Sequence, residues 1–77
     1  MTRIQVFGPG CQKCKVLADR AEQAARELGL EYEIEKVTDL NQIIASGIMA
    51  TPALAVNGAI KFYGHVPGVE RIKEMLA

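Results

Sequence analysis

The sequence predicts an α/β fold with the element order β-α-β-α-β-β-α, in which helices cover both faces of one four-stranded mixed sheet. Three observations carry this prediction: a short apolar strand directly before the stretch GPGCQKC, a long segment with helical spacing after it, and an Asn-Gly pair between two short apolar runs. A β-α-β unit with a right-handed crossover, followed by a hairpin and a last helix, accounts for all three.

The first half of the chain predicts a strand, a long helix and a second strand. Arg3 to Phe7 is rich in β-formers and is stopped by the Gly-Pro-Gly that follows. Apolar residues then recur every three or four positions from Cys14 to Leu28, which predicts a helix that begins near Gln12 and ends at Gly29. Glu31 to Val37 alternates glutamate with apolar residues, which predicts a half-buried strand at an edge of the sheet.

A short helix is predicted after the second strand. Thr38 or Asp39 can cap it, and Gln42 follows Asp39 at the spacing of a capping box. Ser46-Gly47 ends the helix. Its apolar residues are expected on one side, and they are Leu40, Ile43 and Ile44.

A hairpin and a terminal helix complete the predicted fold. The antiparallel strands Ala53 to Val56 and Ile60 to Tyr63 flank Asn57-Gly58, a dipeptide that tolerates the positive φ angles of a type I′ turn. Pro67 is predicted as the first residue of the last helix, where its missing N–H costs nothing. One face of that helix carries apolar residues, which are Val69, Ile72 and Leu76.

Length and composition narrow the classes of function. A chain of 77 residues predicts one domain over positions 1–77 with a small core. Nine basic and nine acidic residues leave no charge excess for nucleic acid or an anionic membrane. The chain has no apolar run of the roughly 20 residues that span a bilayer, and no apolar leader at its start, so we expect a cytoplasmic protein. A lasting structural disulfide is disfavoured there, so the paired cysteines indicate chemistry.

The two cysteines of GPGCQKC are predicted to differ in reactivity. Cys11 is expected at the helix N-terminus, where unpaired N–H groups and the helix dipole favour a thiolate, and Lys13 adds positive charge. Cys14 begins the apolar stripe that faces the sheet, so its sulfur is shielded. We therefore expect Cys11 to attack a disulfide and Cys14 to resolve the mixed disulfide.

GPGCQKC before the first helix, Ala50-Thr51-Pro52 before the third strand and Asn57-Gly58 in the hairpin resemble the small thioredoxin-like or glutaredoxin-like redox-active disulfide proteins of archaea and bacteria. The resemblance covers essentially the whole chain and implies a thioredoxin-like fold with thiol–disulfide oxidoreductase activity. It also implies a substrate groove that includes Gly10, Thr51 and Pro52, with a cis peptide bond at Pro52. From the residues alone a trans bond is favoured.

The resemblance also bears on partners and cofactors. It implies a monomer that acts on protein disulfides, binds no cofactor of its own, and receives electrons from NADPH through a thioredoxin-reductase-type flavoenzyme. Two departures matter: Gln5 stands where thioredoxins have a buried acid, and the segment Gly64 to Gly68 lacks the aspartates with which glutaredoxins hold glutathione. Glutathione is therefore a doubtful partner.

Other interpretations of the cysteine pair stay open. Soft-metal carrier domains for Cu or Zn also place two such cysteines between a first strand and a first helix, although their order βαββαβ ends in a strand. A non-catalytic binding module with the same fold is a third possibility. His65 can lie near the cysteines or be an exposed loop residue without a role, and residues 48–50 (Ile-Met-Ala) can belong to the core or form an apolar lip of the substrate surface.

Overall fold

The computed structural model of the chain describes residues 1–10 and 12–76. In chain order its elements are β1 (Thr2–Phe7), α1 (Gln12–Glu27), β2 (Tyr32–Val37), α2 (Leu40–Ala45), β3 (Ala53–Val56), β4 (Ala59–Tyr63) and α3 (Val69–Leu76). This is the predicted order, with strand and helix ends shifted by one or two residues. Within this part of the chain, no helix has the length and apolar character needed to cross a membrane.

The four strands form one mixed sheet in the order β2-β1-β3-β4. β1 pairs with β2 in parallel and with β3 in the antiparallel sense, and β3 pairs with β4 in the antiparallel sense. β2 therefore lies at one edge, as its alternating glutamates predict. The central pair β1 and β3 carries the apolar residues, and the ends of these strands place the cysteine motif and the Thr51-Pro52 segment side by side.

The main core lies on the face of the sheet that α1 and α3 cover. Ile4 and Val6 of β1 pack there against Leu17 of α1 and Ile72 of α3, and these four side chains are at most 3% exposed. The rest of the buried stripe of α1 is small, because it consists of Ala18, Ala21, Ala24 and Ala25. Small side chains let a helix approach its neighbours closely, so α1 packs closely both on the sheet and against α3 beside it.

Only part of the opposite face is covered, because α2 has just six residues. Asp39 caps this helix as predicted, since its Oδ1 accepts hydrogen bonds from the backbone N–H of Asn41 at 2.8 Å and of Gln42 at 3.3 Å. Of the three apolar residues predicted on one side of this helix, only one is buried. Ile43 is 2% exposed, whereas Leu40 and Ile44 are 64% and 63% exposed, because so short a helix reaches the sheet with one apolar side chain.

The hairpin turn is confirmed and the start of α3 is corrected. Asn57 and Gly58 have φ angles of 51° and 86°, as a type I′ turn requires. Pro67 is not the first residue of α3, which begins at Val69. The carbonyl of Gly68 accepts the hydrogen bond from the N–H of Ile72 at 3.1 Å, so Gly68 takes the position that precedes the helix and Pro67 comes before it.

Two neighbouring isoleucines of α2 provide a matched test of this packing. We expect Ile43→Ala to lower the free energy of unfolding by about 2–4 kcal/mol, because it removes most of a buried side chain and leaves a cavity in its place. Ile44→Ala removes the same atoms from an exposed position, and we expect a change within about 0.5 kcal/mol. Urea denaturation followed by circular dichroism measures both. Equal losses in the two variants would contradict the described orientation of α2.

Candidate functional site

The cysteine motif lies at the start of α1, which begins at Gln12. Cys11, the predicted nucleophile, lies outside the described residues. Gln12 and Lys13 are exposed, whereas Cys14 is 6% exposed and begins the buried stripe of the helix. The first turn of α1 thus carries Lys13 on its outer side and holds the Cys14 sulfur against the end of β1, as the spacing of apolar residues predicts.

Gly8 is the residue against which Cys14 packs. A Cβ atom added to Gly8 would overlap the Cys14 Sγ atom and would lie 3.9 Å from the Cβ of Thr51. Cys14 and Thr51 therefore flank the Gly8 backbone on neighbouring segments. Sequence reasoning treated this glycine only as a strand terminator, and nothing in the pattern of residues reveals that its missing side chain makes room for a sulfur atom.

A cavity of about 190 Å³ lies beside the Cys14 thiol. Among its described lining residues, the charged ones are Lys15 and Lys36, and both are cationic. Desolvation disfavours a thiolate in an apolar pocket, and neighbouring positive charge favours it. The full lining is Val6, Gly8, Gly10, Cys14, Lys15, Lys36 and Thr38.

Lys36 was not predicted as a site residue, although the sequence contains a signal for it. It pairs in register with Val6 of β1, so the two residues share the face of the sheet that α1 covers. Along β2 that face carries Tyr32, Ile34 and then Lys36, so a lysine occupies a position in the apolar phase of the strand. Lys36 is an exposed residue, and it lines the Cys14 cavity. We therefore expect its charge to act on the Cys14 thiol.

Gln5 does not contribute to the surroundings of Cys14. Its Nε2 atom donates a hydrogen bond to Glu35 Oε1 at 2.9 Å. These two residues line a groove with Phe7 and Val37 on the α2 side of the sheet, away from α1. The hydrogen bond from Gln5, with the nearby Arg3 guanidinium, holds the pKa of Glu35 below its ordinary value. Glu35 is therefore an exposed carboxylate committed to its own partners.

The Thr51-Pro52 segment lies next to the cysteine motif. The peptide bond between these residues is cis, as the resemblance implies. Pro52 is buried, its carbonyl accepts a hydrogen bond from the N–H of Gly64 at 2.9 Å, and Thr51 is exposed. Gly10, which precedes the motif, is exposed with a φ of 90° and lines the Cys14 cavity. The three residues expected to bind substrate therefore surround the start of α1.

The two questions left open for the neighbouring loops have clear structural answers. Ile48 is 6% exposed and belongs to the core beneath α2, whereas Met49 is 84% exposed and Ala50 is exposed. His65 lines a groove with Gln12 and Lys13, the residues between the two cysteines in sequence. The histidine therefore lies beside the cysteine motif, and Met49 and Ala50 are exposed next to Thr51, which leaves their contact with substrate a prediction.

Comparisons with known proteins agree on one family. The thioredoxin domain family matches residues 2–77. The chain is 42% identical to the thioredoxin of Methanothermobacter thermautotrophicus over the full length of both, and 45% identical to the thioredoxin of Methanocaldococcus jannaschii over 99% of this chain and 87% of that protein. The solution structure of reduced MJ0307 superposes with a TM-score of 0.60 at 30% identity, covering 97% of this chain and 96% of its own.

The position of Lys36 predicts an effect on the Cys14 thiol. In a Cys11→Ser background, we expect Lys36→Gln to reduce the Cys14 thiolate fraction at a given pH by roughly 3- to 10-fold, because a cation near the sulfur is lost. Ultraviolet thiolate absorbance measured across pH reports this fraction. Lys36→Arg should retain the effect of the charge. Lys61→Gln, which removes an exposed lysine on β4, is the control, and an identical titration in the Lys36→Gln and Lys61→Gln variants would refute the role of Lys36.

Proposed function

Since the chain belongs to the thioredoxin family and is a thiol–disulfide oxidoreductase, we propose that Cys11 and Cys14 carry the electrons of its reaction. The Cys11 thiolate attacks one sulfur of a client disulfide, a mixed disulfide forms, and the other client sulfur leaves as a thiolate. Cys14 then attacks the Cys11 sulfur and the second client sulfur leaves. The client gains two electrons and two protons, and the Cys11–Cys14 pair becomes a disulfide.

The observation that carries this division of roles is the burial of Cys14. Its 6% exposure keeps a large client disulfide away from its sulfur, so Cys14 is suited to attack only a sulfur already held at the motif. Gln12 and Lys13, which directly follow Cys11 in sequence, are exposed. The first turn of α1 also contains two lysines and no acid, which favours a thiolate at the start of the helix.

We propose that Gly10 and Thr51 contact the client segment that carries the disulfide, and that Pro52, whose side chain is fully buried, contributes to this site by positioning Thr51. Thr51 is exposed and approaches the same glycine that contacts Cys14, which supports this assignment. Pro52 is buried beneath it and its carbonyl is bonded to Gly64, so the segment is held in place from below. A client strand laid along Thr51 would bring its disulfide to the start of α1.

The oxidised pair needs a source of electrons. We propose an NADPH-dependent flavoenzyme of the thioredoxin-reductase type, which acts on a monomer that binds no cofactor itself. A reducing compartment such as the cytoplasm is the setting in which such a pair cycles. Glutathione is a poor alternative, because the segment from Gly64 to Gly68 offers no acidic side chain for its amino group.

Trapping the mixed disulfide tests the two cysteine roles. We expect Cys14→Ser to accumulate a covalent adduct with a protein disulfide such as insulin, because the resolving thiol is gone. Cys11→Ser is the matched control and should form no adduct and reduce no insulin. Non-reducing electrophoresis and mass spectrometry of the adduct identify the cysteine involved. Retained disulfide reductase activity in Cys11→Ser would overturn the assignment of Cys11 as the nucleophile. A wild-type protein that reduces no insulin would instead favour a binding or metal-carrier role.

A charge reversal tests the proposed support of the nucleophile by Lys13. In a Cys14→Ser background, we expect Lys13→Glu to slow alkylation of Cys11 at neutral pH by roughly 3- to 10-fold, because the charge beside the thiolate is reversed. Lys61→Glu makes the same charge change on β4 and should leave the rate near that of the background. Equal rates in both variants at every pH would show that the helix terminus alone activates Cys11.

A further inference from the structure

A groove of about 370 Å³ opens beside the cysteine motif between α1 and the loop that joins β4 to α3. We call it the His65 groove. Two of its residues, Lys13 and His65, carry ionisable side chains, and two valines supply apolar surface. Its lining residues are Gln12, Lys13, Val16, Gly64, His65 and Val66.

The loop that carries His65 is held on three sides. Arg20 of α1 donates a hydrogen bond to the carbonyl of Pro67 at 3.0 Å, which ties the loop to the helix. The N–H of Gly64 donates a hydrogen bond to the carbonyl of Pro52 at 2.9 Å, which joins the loop to the Thr51-Pro52 segment proposed to bind the client. The His65 ring packs on Phe62 with 5.1 Å between ring centroids. The groove therefore adjoins the segment that contains the exposed Thr51 and the buried Pro52.

The ionisable side chains that line this groove are both basic. Lys13 faces it from α1, His65 faces it from the loop, and no described lining residue is acidic. β4 contributes the uncharged Phe62 ring. Two charged residues near the loop have other partners. The Glu70 carboxylate, in the first turn of α3, lies 3.4 Å from the Lys73 ammonium, and the Arg20 guanidinium donates hydrogen bonds to loop carbonyls. Lysines in the first turn of a helix oppose its dipole, so they weaken α1 where they could serve an anionic partner.

We propose that the His65 groove selects clients with acidic side chains next to the disulfide, and that His65 and Lys13 bind their carboxylates. The inference rests on the proposed function, because the client is held by its disulfide at the cysteine motif. Val16 and Val66 suit the aliphatic part of a glutamate, and the two basic groups suit its carboxylate.

A series of synthetic disulfide peptides tests this selection. The peptides differ only in the residues that flank the cysteine on both sides, which are Glu, Gln or Lys. We expect kcat/KM at low salt to be about 3- to 10-fold higher for the Glu peptide than for the Gln peptide, and lowest for the Lys peptide. The ratio should shrink in high salt, which screens the charges. The ratio cancels the reactivity of the attacking thiolate, which all peptides share.

Two substitutions at His65 assign the effect to the groove. In His65→Gln, the Glu-to-Gln ratio should be lower than in the wild-type protein, and in His65→Arg it should be at least as high. Equal rates for all three peptides, or a preference that neither variant changes, would overturn the inference while leaving the oxidoreductase intact. No reduction of any peptide by the wild-type protein would instead mean that the proposed function fails, and the inference with it.

Discussion

The contact between the Cys14 sulfur and the backbone of Gly8 is the constraint on which the site depends. A side chain at position 8 would occupy the volume of the sulfur, so the residue directly after β1 must be glycine if Cys14, in the first turn of α1, is to face inward. A Cβ atom added to Gly8 would also lie 3.9 Å from the Cβ of Thr51, so Thr51 borders the same position. The end of β1, the first turn of α1 and the Thr51-Pro52 segment therefore lie next to one another at Gly8.

The unequal cover of the two sheet faces explains the chemistry around the cysteines. On the α1 side, alanines allow close packing and leave a small cavity beside Cys14 whose described charged lining residues are lysines. On the other side, α2 is too short to bury the sheet, so Gln5 and Glu35 pair with each other near solvent. Lys15 and Lys36 thus place positive charge in the lining of the cavity beside Cys14, while Gln5, which stands where thioredoxins have a buried acid, is bonded to Glu35 on the other face. A cation stabilises the thiolate but does not accept its proton, so the proton leaves by another route.

The charge in the first turn of α1 has the opposite sense to the one that stabilises a helix, because this turn carries Lys13 and Lys15 and no acid. The last turn contains both Arg26 and Glu27. Glu27 pairs with Lys73 of α3 at 2.6 Å, and Glu22 pairs with Arg26, so these acids are engaged in contacts within the fold. A chain with no net charge therefore presents lysines at the start of α1, where we propose that they support a thiolate and an acidic client.

The sequence by itself determined the order of elements, the edge position of β2, the turn at Asn57-Gly58 and the inward direction of Cys14. Each of these follows from local periodicity or from backbone angles that few residues adopt. The tertiary structure alone decided which residues of distant segments come together. Gly8 packs against Cys14, Lys36 lines the cavity beside that thiol, His65 and Lys13 line one groove, and a single isoleucine of α2 is buried. Periodicity specifies the face on which a residue lies, whereas cavities and neighbours depend on how closely separate elements pack, and no local pattern contains that distance.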